Sequence, residues 1–380
     1  MRALIYHLPL GEMDGTSVVL RRIYAQEAAH VRQLYFRTGR FPVPPTFPVE
    51  YARGDSNWPW ARGARFVQRG WRKVVLPGLL RRSPWIAQTQ KAVAENTITS
   101  LHVVVYDEPT AEFARRALDT GNLKRFTLHL MDLLLDNDEL SPSATPHLCW
   151  LLSRAQSLVV VSNRLHDLIR PFTTADTLIW PIPAGFSPLD RQPPADNPAP
   201  WQVLISGAMY AGKTGFLEHI FLPAWKQFQQ THPHTELVYM GKDLDGIPPS
   251  VRACLRPLGV VPQEKLVETL RAASVALLPV LHEASTPWRY SVPARISDYL
   301  AAGLPVIAPH TEGTATHDFL LQVGSPAASL VAQQEDVLAT LTRLHDAPGH
   351  WLTASHAATA FARQHLDLEK LRAQLFAFMA

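Results

Sequence analysis

Long apolar runs are missing from this 380-residue chain. The longest, SLVVV and VALLPV, are far too short to span a bilayer, so a helical membrane protein is not expected. Cysteine is scarce, with Cys149 and Cys254 the whole complement. Neither belongs to a Cys/His cluster with zinc spacing, which excludes a zinc-finger or disulfide-framework protein. Two buried free thiols in apolar settings suit a reducing cytoplasm. Charge is thin as well, 18% of residues, with a formal net charge of +3. A disordered or low-complexity chain is excluded, and no nucleic-acid partner is expected. The N-terminus MRALIYHLPL lacks the apolar core and small-residue cleavage site of a signal peptide and reads as a first strand.

What is present is apolar mass, 47% of residues, in a chain longer than one core usually accommodates. Short strands alternate with helices. SLHVVVYDE, RFTLHLM and SLVVVS are continuous in apolar residues rather than alternating, which is the pattern of parallel strands covered on both faces. A helix is predicted over SVVLRRIYAQEAAHVRQLYF. Residues 187–200, SPLDRQPPADNPAP, hold five prolines and no periodicity. After them the alternation restarts with WQVLIS, a helix over GFLEHIFLPAWKQFQQTHP, TELVYMG, PQEKLVETLRAAS, VALLPV, VPARISDYLAAG and LPVIAP. The simplest architecture is α/β, with two doubly wound parallel-sheet domains. We place them at 1–189 and 201–380, joined by a linker at 190–200, with the last helix free to pack back on the first domain. Ligands of such folds sit at the carboxyl ends of strands, here also in the cleft between domains.

Charge is uneven along the chain. Arg53, Arg62, Arg65, Arg69, Arg72, Lys73, Arg81 and Arg82 face a single acid, Asp55, with Trp58, Trp60, Trp71 and Trp85 interleaved. An interfacial membrane segment or polyanion groove has this composition, and so does a solvated helix face with some tryptophan in the core.

The stretch GAMYAGKT at 207–214 fits G-x-x-x-x-G-K-[ST], the phosphate-cradling P-loop. A nucleotide-hydrolysing P-loop protein would also place an acid for Mg²⁺ at the end of another strand. VALLPV carries none, and Asp243 follows a Gly-Lys turn.

The block SVPARISDYLAAGLPVIAP (291–309) resembles the donor-site block of the retaining, nucleotide-sugar-dependent GT-B glycosyltransferases. LGVVPQEKLVETLRAASVALLPV (258–280), IWPIPAGFSP (179–188) and AQSLVVVSNRLHDLI (155–169) are similar to further segments of that family, with Ala184 where Asn is usual. Together they cover most of the chain from about Ser157 onward. The resemblance implies glycosyl transfer from a nucleoside-diphosphate sugar, a co-substrate rather than a cofactor, to an acceptor hydroxyl, with retention and without a metal. The acceptor would be a carbohydrate, a glycolipid or another hydroxyl compound, in polysaccharide or glycolipid synthesis. The location would be cytoplasmic, with 53–85 a candidate for peripheral contact with an anionic inner membrane face.

The residues fit that chemistry at several points. Pro293 suits the first turn of a helix, whose backbone amides around Ser291 and Val292 would face a diphosphate. Arg295 is a fixed positive charge, and Asp298, three residues on, projects from the same side as a ribose acceptor. A surface ion pair of the two is the plainer alternative. Gly303 is placed to end the helix. By resemblance Gly207 and Lys213 belong to the phosphate loop, where Ala208 replaces the usual Arg. Lys213 and Arg295 would stabilise the leaving diphosphate. The family's sugar-contacting Glu falls on Tyr290, with Glu283 out of register. Gly15 and Thr16 resemble the family's glycine loop or form a plain turn and cap. Asp107 replaces the second His of an H-x-H-E-P-like segment, and His129 ends the next strand; both are candidate catalytic groups. A lone His among apolar residues is as readily a core residue. DND at 136–138 matches the metal-binding D-x-D of the GT-A fold, which would not produce two Rossmann-like halves. The departures at Tyr290 and Ala208 keep a non-catalytic GT-B scaffold in view, and a P-loop NTPase is the third reading.

Overall fold

The computed structural model describes residues 2–5, 15–26, 31–34, 100–119, 126–133, 135, 140–193, 200–207, 211–241, 244, 247–279 and 289–380. The basic, Trp-rich stretch at 53–85, the DND triplet, Ala208 and Glu283 lie outside them. The chain divides into two compact units: Met1–Trp180 with Arg372–Ala380, and Pro181–Leu371.

The first unit is built on a six-stranded parallel sheet, β1 (Arg2–Ile5), β2 (Val31–Leu34), β3 (Ser100–Val104), β4 (Phe126–Leu130), β5 (Ser157–Val160) and β6 (Asp176–Ile179), in the order β2-β1-β3-β4-β5-β6. The central strands β3 and β4 are buried almost throughout, as their unbroken apolar runs require. The single helix read over 17–36 is not what forms. A helix runs Gly15–Tyr24, and Val31–Leu34 becomes a strand paired with β1, Arg2 opposite Val31 and Ile5 opposite Leu34. Parallel pairing at the sheet edge overrides a modest helical preference. Helix Gly15–Tyr24 buries Val19, Leu20, Ile23 and Tyr24, and the Tyr24 ring meets Phe376 of the last helix at 5.6 Å.

The second unit carries a second six-stranded parallel sheet, β7 (Trp201–Ser206), β8 (Thr235–Met240), β9 (Leu255–Gly259), β10 (Val275–Leu277), β11 (Val306–Pro309) and β12 (Ala328–Val331). Its order is β12-β11-β10-β7-β8-β9, the doubly wound arrangement in which the direction of winding reverses between β7 and β10. Val203 pairs with Val275 on one side of β7, and Ser206 with Met240 on the other.

One predicted helix is interrupted. The 215–233 stretch forms helical segments Ala211–Phe216 and Leu222–Thr231, separated by a wide π turn at Leu217–Phe221. Pro223 lacks an amide and its ring crowds the carbonyl four residues back, so the ladder opens one turn ahead of it. The turn still buries Leu217 and Phe221, and Phe221, Trp225 and Phe228 pack in sequence under the sheet.

The opposite face is covered by the helices Arg295–Ala301 and Pro348–His365. They meet closely at Gly303, whose φ is +66°; an added Cβ would lie 2.8 Å from Ser355 Oγ. Arg191 anchors the chain before β7. Its guanidinium donates to the carbonyls of Arg271 and Ala273, lies over the Trp351 ring, and is pushed down to about 10 by burial. Cys149 is buried, and Cys254 is partly buried and packs against the core of the second unit, so both thiols lie in apolar settings as expected. Among the described residues, no helix is long and apolar enough to cross a membrane.

Candidate functional site

The doubly wound order directs attention to the carboxyl ends of β7 and β10, where ligands of such sheets bind. Strand β7 ends at Ser206 and turns at Gly207, whose φ of +87° is a left-handed conformation that glycine accepts and other residues resist. The turn is fixed on both sides: the Gly207 amide donates to Met240 O at 2.8 Å, and the Gly207 carbonyl accepts from Tyr239 Oη at 2.9 Å.

Arg295 lies directly on this turn. A Cβ on Gly207 would sit 2.8 Å from Arg295 Cζ, and Arg295 Nη1 donates to the Ser206 carbonyl. One turn further along the same helix, Tyr299 is fully buried. Its hydroxyl accepts from the Ser206 amide at 2.8 Å and pairs with Ser206 Oγ at 2.6 Å. Burial pushes the phenol above its usual range, which keeps it neutral. Arg295 and Tyr299 thus hold the last residue of β7 from one helix face.

Asp298 projects to a different neighbour. Its Oδ1 accepts from the Gly185 amide at 2.7 Å, and Ser297 Oγ donates to the Ile182 carbonyl at 2.6 Å. The IWPIPAGFSP stretch and the SDY stretch, quoted separately from the sequence, are therefore bonded to each other. Ala184, standing where Asn was expected, is buried and tied through its amide to the Leu366 carbonyl.

The helix begins later than Pro293. Its first residue is Arg295 with Ala294 as cap, because the Ile296 amide reaches back only to the Pro293 carbonyl in a tighter turn. Ser291 and Val292 precede it and are buried, and the Ser291 carbonyl accepts from Thr316 Oγ1. Lys213 falls in the helix Ala211–Phe216 by its backbone; its side chain is outside the described set. Tyr290 and Arg289 are half-buried and lie just ahead of this segment.

In the first unit, Gly15 opens the helix Gly15–Tyr24 and Thr16 lies in its first turn, half-buried. Asp107 caps the helix Glu108–Leu118, its Oδ1 accepting from the Thr110 amide at 2.9 Å and from the Thr110 hydroxyl. His129 is fully buried inside β4. Its Nδ1 lies 3.1 Å from His102 Nε2, His102 Nδ1 is 2.5 Å from Tyr24 Oη, and the ring meets Trp180 edge-on. Burial lowers His129 to about 3, so it stays neutral and occupies the position of a core residue.

Sequence reasoning passed over Glu108. Its carboxylate accepts from the His147 and Leu148 amides at 2.6 and 3.2 Å, capping the helix Pro146–Arg154 from across the unit. Burial nevertheless raises its pKa to about 7. Tyr299 and Ser206 were also passed over. The only signal was the four-residue spacing of Tyr299 from Arg295, which puts both on one helix face.

No protein-family model matches the sequence, and no curated protein matches it significantly. Solved structures do match. Sucrose-phosphate synthase from Thermosynechococcus elongatus superposes with a TM-score of 0.68 at 15% identity, over 99% of this chain and 97% of that one. HepE from Anabaena, solved in complex with UDP and glucose, gives 0.68 at 15% identity, over 99% and 98%. The α,α-trehalose 6-phosphate synthase of Burkholderia multivorans gives 0.61 at 13% identity, over 100% and 98%. This chain has the two-sheet α/β architecture of these proteins, the GT-B fold.

Proposed function

We propose that this protein is a glycosyltransferase that moves a sugar from a nucleoside-diphosphate donor to an acceptor hydroxyl, with the donor held by the second unit. The observation that carries the reading is the turn at Gly207: a glycine-opened strand end at the switch point, with the Arg295 guanidinium against it and Asp298 on the same short helix. A diphosphate needs close backbone approach and fixed positive charge, and a ribose needs a carboxylate acceptor. HepE was solved with UDP and with UDP and glucose, and the E. coli trehalose-6-phosphate protein with UDP-2-fluoro glucose, which supports a uridine nucleotide as the first candidate.

The barrier to the reaction is charge separation between an oxocarbenium-like sugar and a leaving diphosphate. Arg295 and Lys213 would stabilise the diphosphate as its charge grows, without a metal in that role. Retention of configuration, a carbohydrate or glycolipid acceptor, polysaccharide or glycolipid synthesis, and a cytoplasmic location with peripheral membrane contact belong to the same proposal. Support for these comes from the sequence resemblance and, for the membrane, from the composition of 53–85.

Tyr290 and Ala208 favour one competing reading, a GT-B scaffold that binds no donor. A thermal-shift screen against UDP-, GDP-, ADP- and dTDP-sugars separates the two. Stabilisation by one nucleotide class supports the transferase; no shift with any of them supports the scaffold. Mg²⁺-dependent ATP or GTP hydrolysis would instead favour the P-loop reading. Flotation with anionic liposomes tests the membrane contact.

A further inference from the structure

Two helices of the second unit end at the same place. Leu222–Thr231 closes on His232 as its C-terminal cap, and Gln334–Asp346 ends on His345 and Asp346. His232 Nε2 lies 2.9 Å from Asp346 Oδ1, and His345 Nδ1 lies 2.7 Å from that same oxygen. One ligand atom from each of the three residues lies within 4.8 Å of the others. The two imidazole rings stand 4.3 Å apart, centre to centre.

The far nitrogen of His232 is held from behind: Thr231 Oγ1 lies 2.8 Å and the Phe228 carbonyl 3.1 Å from Nδ1, while Nε2 faces the Asp346 carboxylate. A carbonyl that holds the far nitrogen of a histidine is the usual support of a metal ligand. Both helix C-termini add partial negative charge to the same spot, which also favours a cation.

We propose that His232, His345 and Asp346 bind a divalent transition metal of the zinc type, with water completing the coordination. Two imidazole nitrogens and one carboxylate oxygen form a recognised zinc donor set. Zinc bonds near 2.0 Å in tetrahedral geometry separate ligand atoms by about 3.3 Å, so the existing contacts open by only tenths of an ångström. The Asp346 side chain is 50% exposed and His345 30%, which gives an ion a way in. Asp346 also lines an open groove with Gln227, Glu335 and Leu338. The bound ion would tie the two helix ends together, using no residue of the proposed donor site.

The test is titration of Zn²⁺ into metal-stripped full-length protein free of any histidine tag, by calorimetry, with thermal melts alongside. The expected result is one saturable ion per chain and a melting temperature that climbs with zinc concentration. His345→Gln and Asp346→Asn should each weaken zinc affinity more than about tenfold, whereas His356→Gln, an exposed histidine outside the cluster, should not. Circular dichroism of the variants establishes that they are folded; Asp346→Asn, nearly isosteric at a half-exposed position, serves if His345→Gln is not. No saturable binding, or binding kept within twofold in the folded variants, would overturn the proposal and leave the cluster an ordinary His–Asp ion pair.

Discussion

The turn at Gly207 can be probed by adding a single methyl group. In Gly207→Ala the new Cβ meets two penalties. The backbone holds φ at +87°, where an L-residue is strained by about 1–2 kcal/mol. The methyl would also stand 2.8 Å from Arg295 Cζ and Nη1, closer than real contacts allow, so the guanidinium must leave the Ser206 carbonyl. The side-chain end is flexible, so the protein folds and the cost stays local. For a unit of this size the strain lowers the melting temperature by about 2–8 °C. Displacing Arg295 should also weaken nucleotide binding. The two effects are separable in a cycle with Arg295→Ala. Once the guanidinium is gone, Gly207→Ala should still cost its backbone strain but should have little further effect on nucleotide affinity. A coupling of about 0.5–3 kcal/mol between the two sites is expected in the binding data. Calorimetric titration of UDP into the four proteins, with thermal melts, provides the readings. Fully additive binding losses, or a Gly207→Ala protein identical to the parent in both assays, would refute the packing of Arg295 on this turn as the basis of the site.

Other outcomes follow from the same geometry. Tyr299→Phe leaves the buried amide and hydroxyl of Ser206 without their partner and should cost about 1–3 kcal/mol in a denaturant melt, more than an exposed tyrosine would. Lys213→Ala should lower turnover roughly 10²–10³-fold once a donor is known, with donor binding less affected; a loss below threefold counts against its role. Glu108 should make stability fall as pH rises from about 4.5 to about 7, since the folded protein keeps a proton that the unfolded chain has released. The full effect is at most about 3 kcal/mol. Buried His129 acts in the opposite sense, its contribution being present above about 6.5 and lost as pH falls toward about 3. The parent profile is therefore flattened, and the difference melt between Glu108→Gln and the parent isolates the carboxylate; a difference independent of pH would contradict it.

The central strands of the two sheets were legible because they are short, apolar and continuous, whereas edge strands such as Asp176–Ile179 and Leu255–Gly259, with exposed polar residues, carried no such signal. Where tertiary pairing decides, the sequence misled: Val31–Leu34 carries no strand signal of its own and becomes one by lying beside β1. Pro223 was visible, yet the 217–221 turn it forces could be placed only once the helix ends were known. At the site, Gly207, Arg295 and Asp298 stood out because charge and glycine are distinctive residue types. Tyr299 did not, because a buried tyrosine reads like any core aromatic until its hydroxyl partner is seen. Asp107 illustrates the converse: its carboxylate suggests chemistry, and the structure engages it, like the neighbouring Glu108, as a helix cap.

The most direct measurement is calorimetric titration of UDP and UDP-glucose into the parent protein and into Arg295→Ala. Saturable one-to-one binding in the parent, weakened at least tenfold in the variant, is the expected result. Equal affinity in both proteins, or no binding to the parent by any nucleoside diphosphate, would contradict a donor site at the carboxyl end of β7.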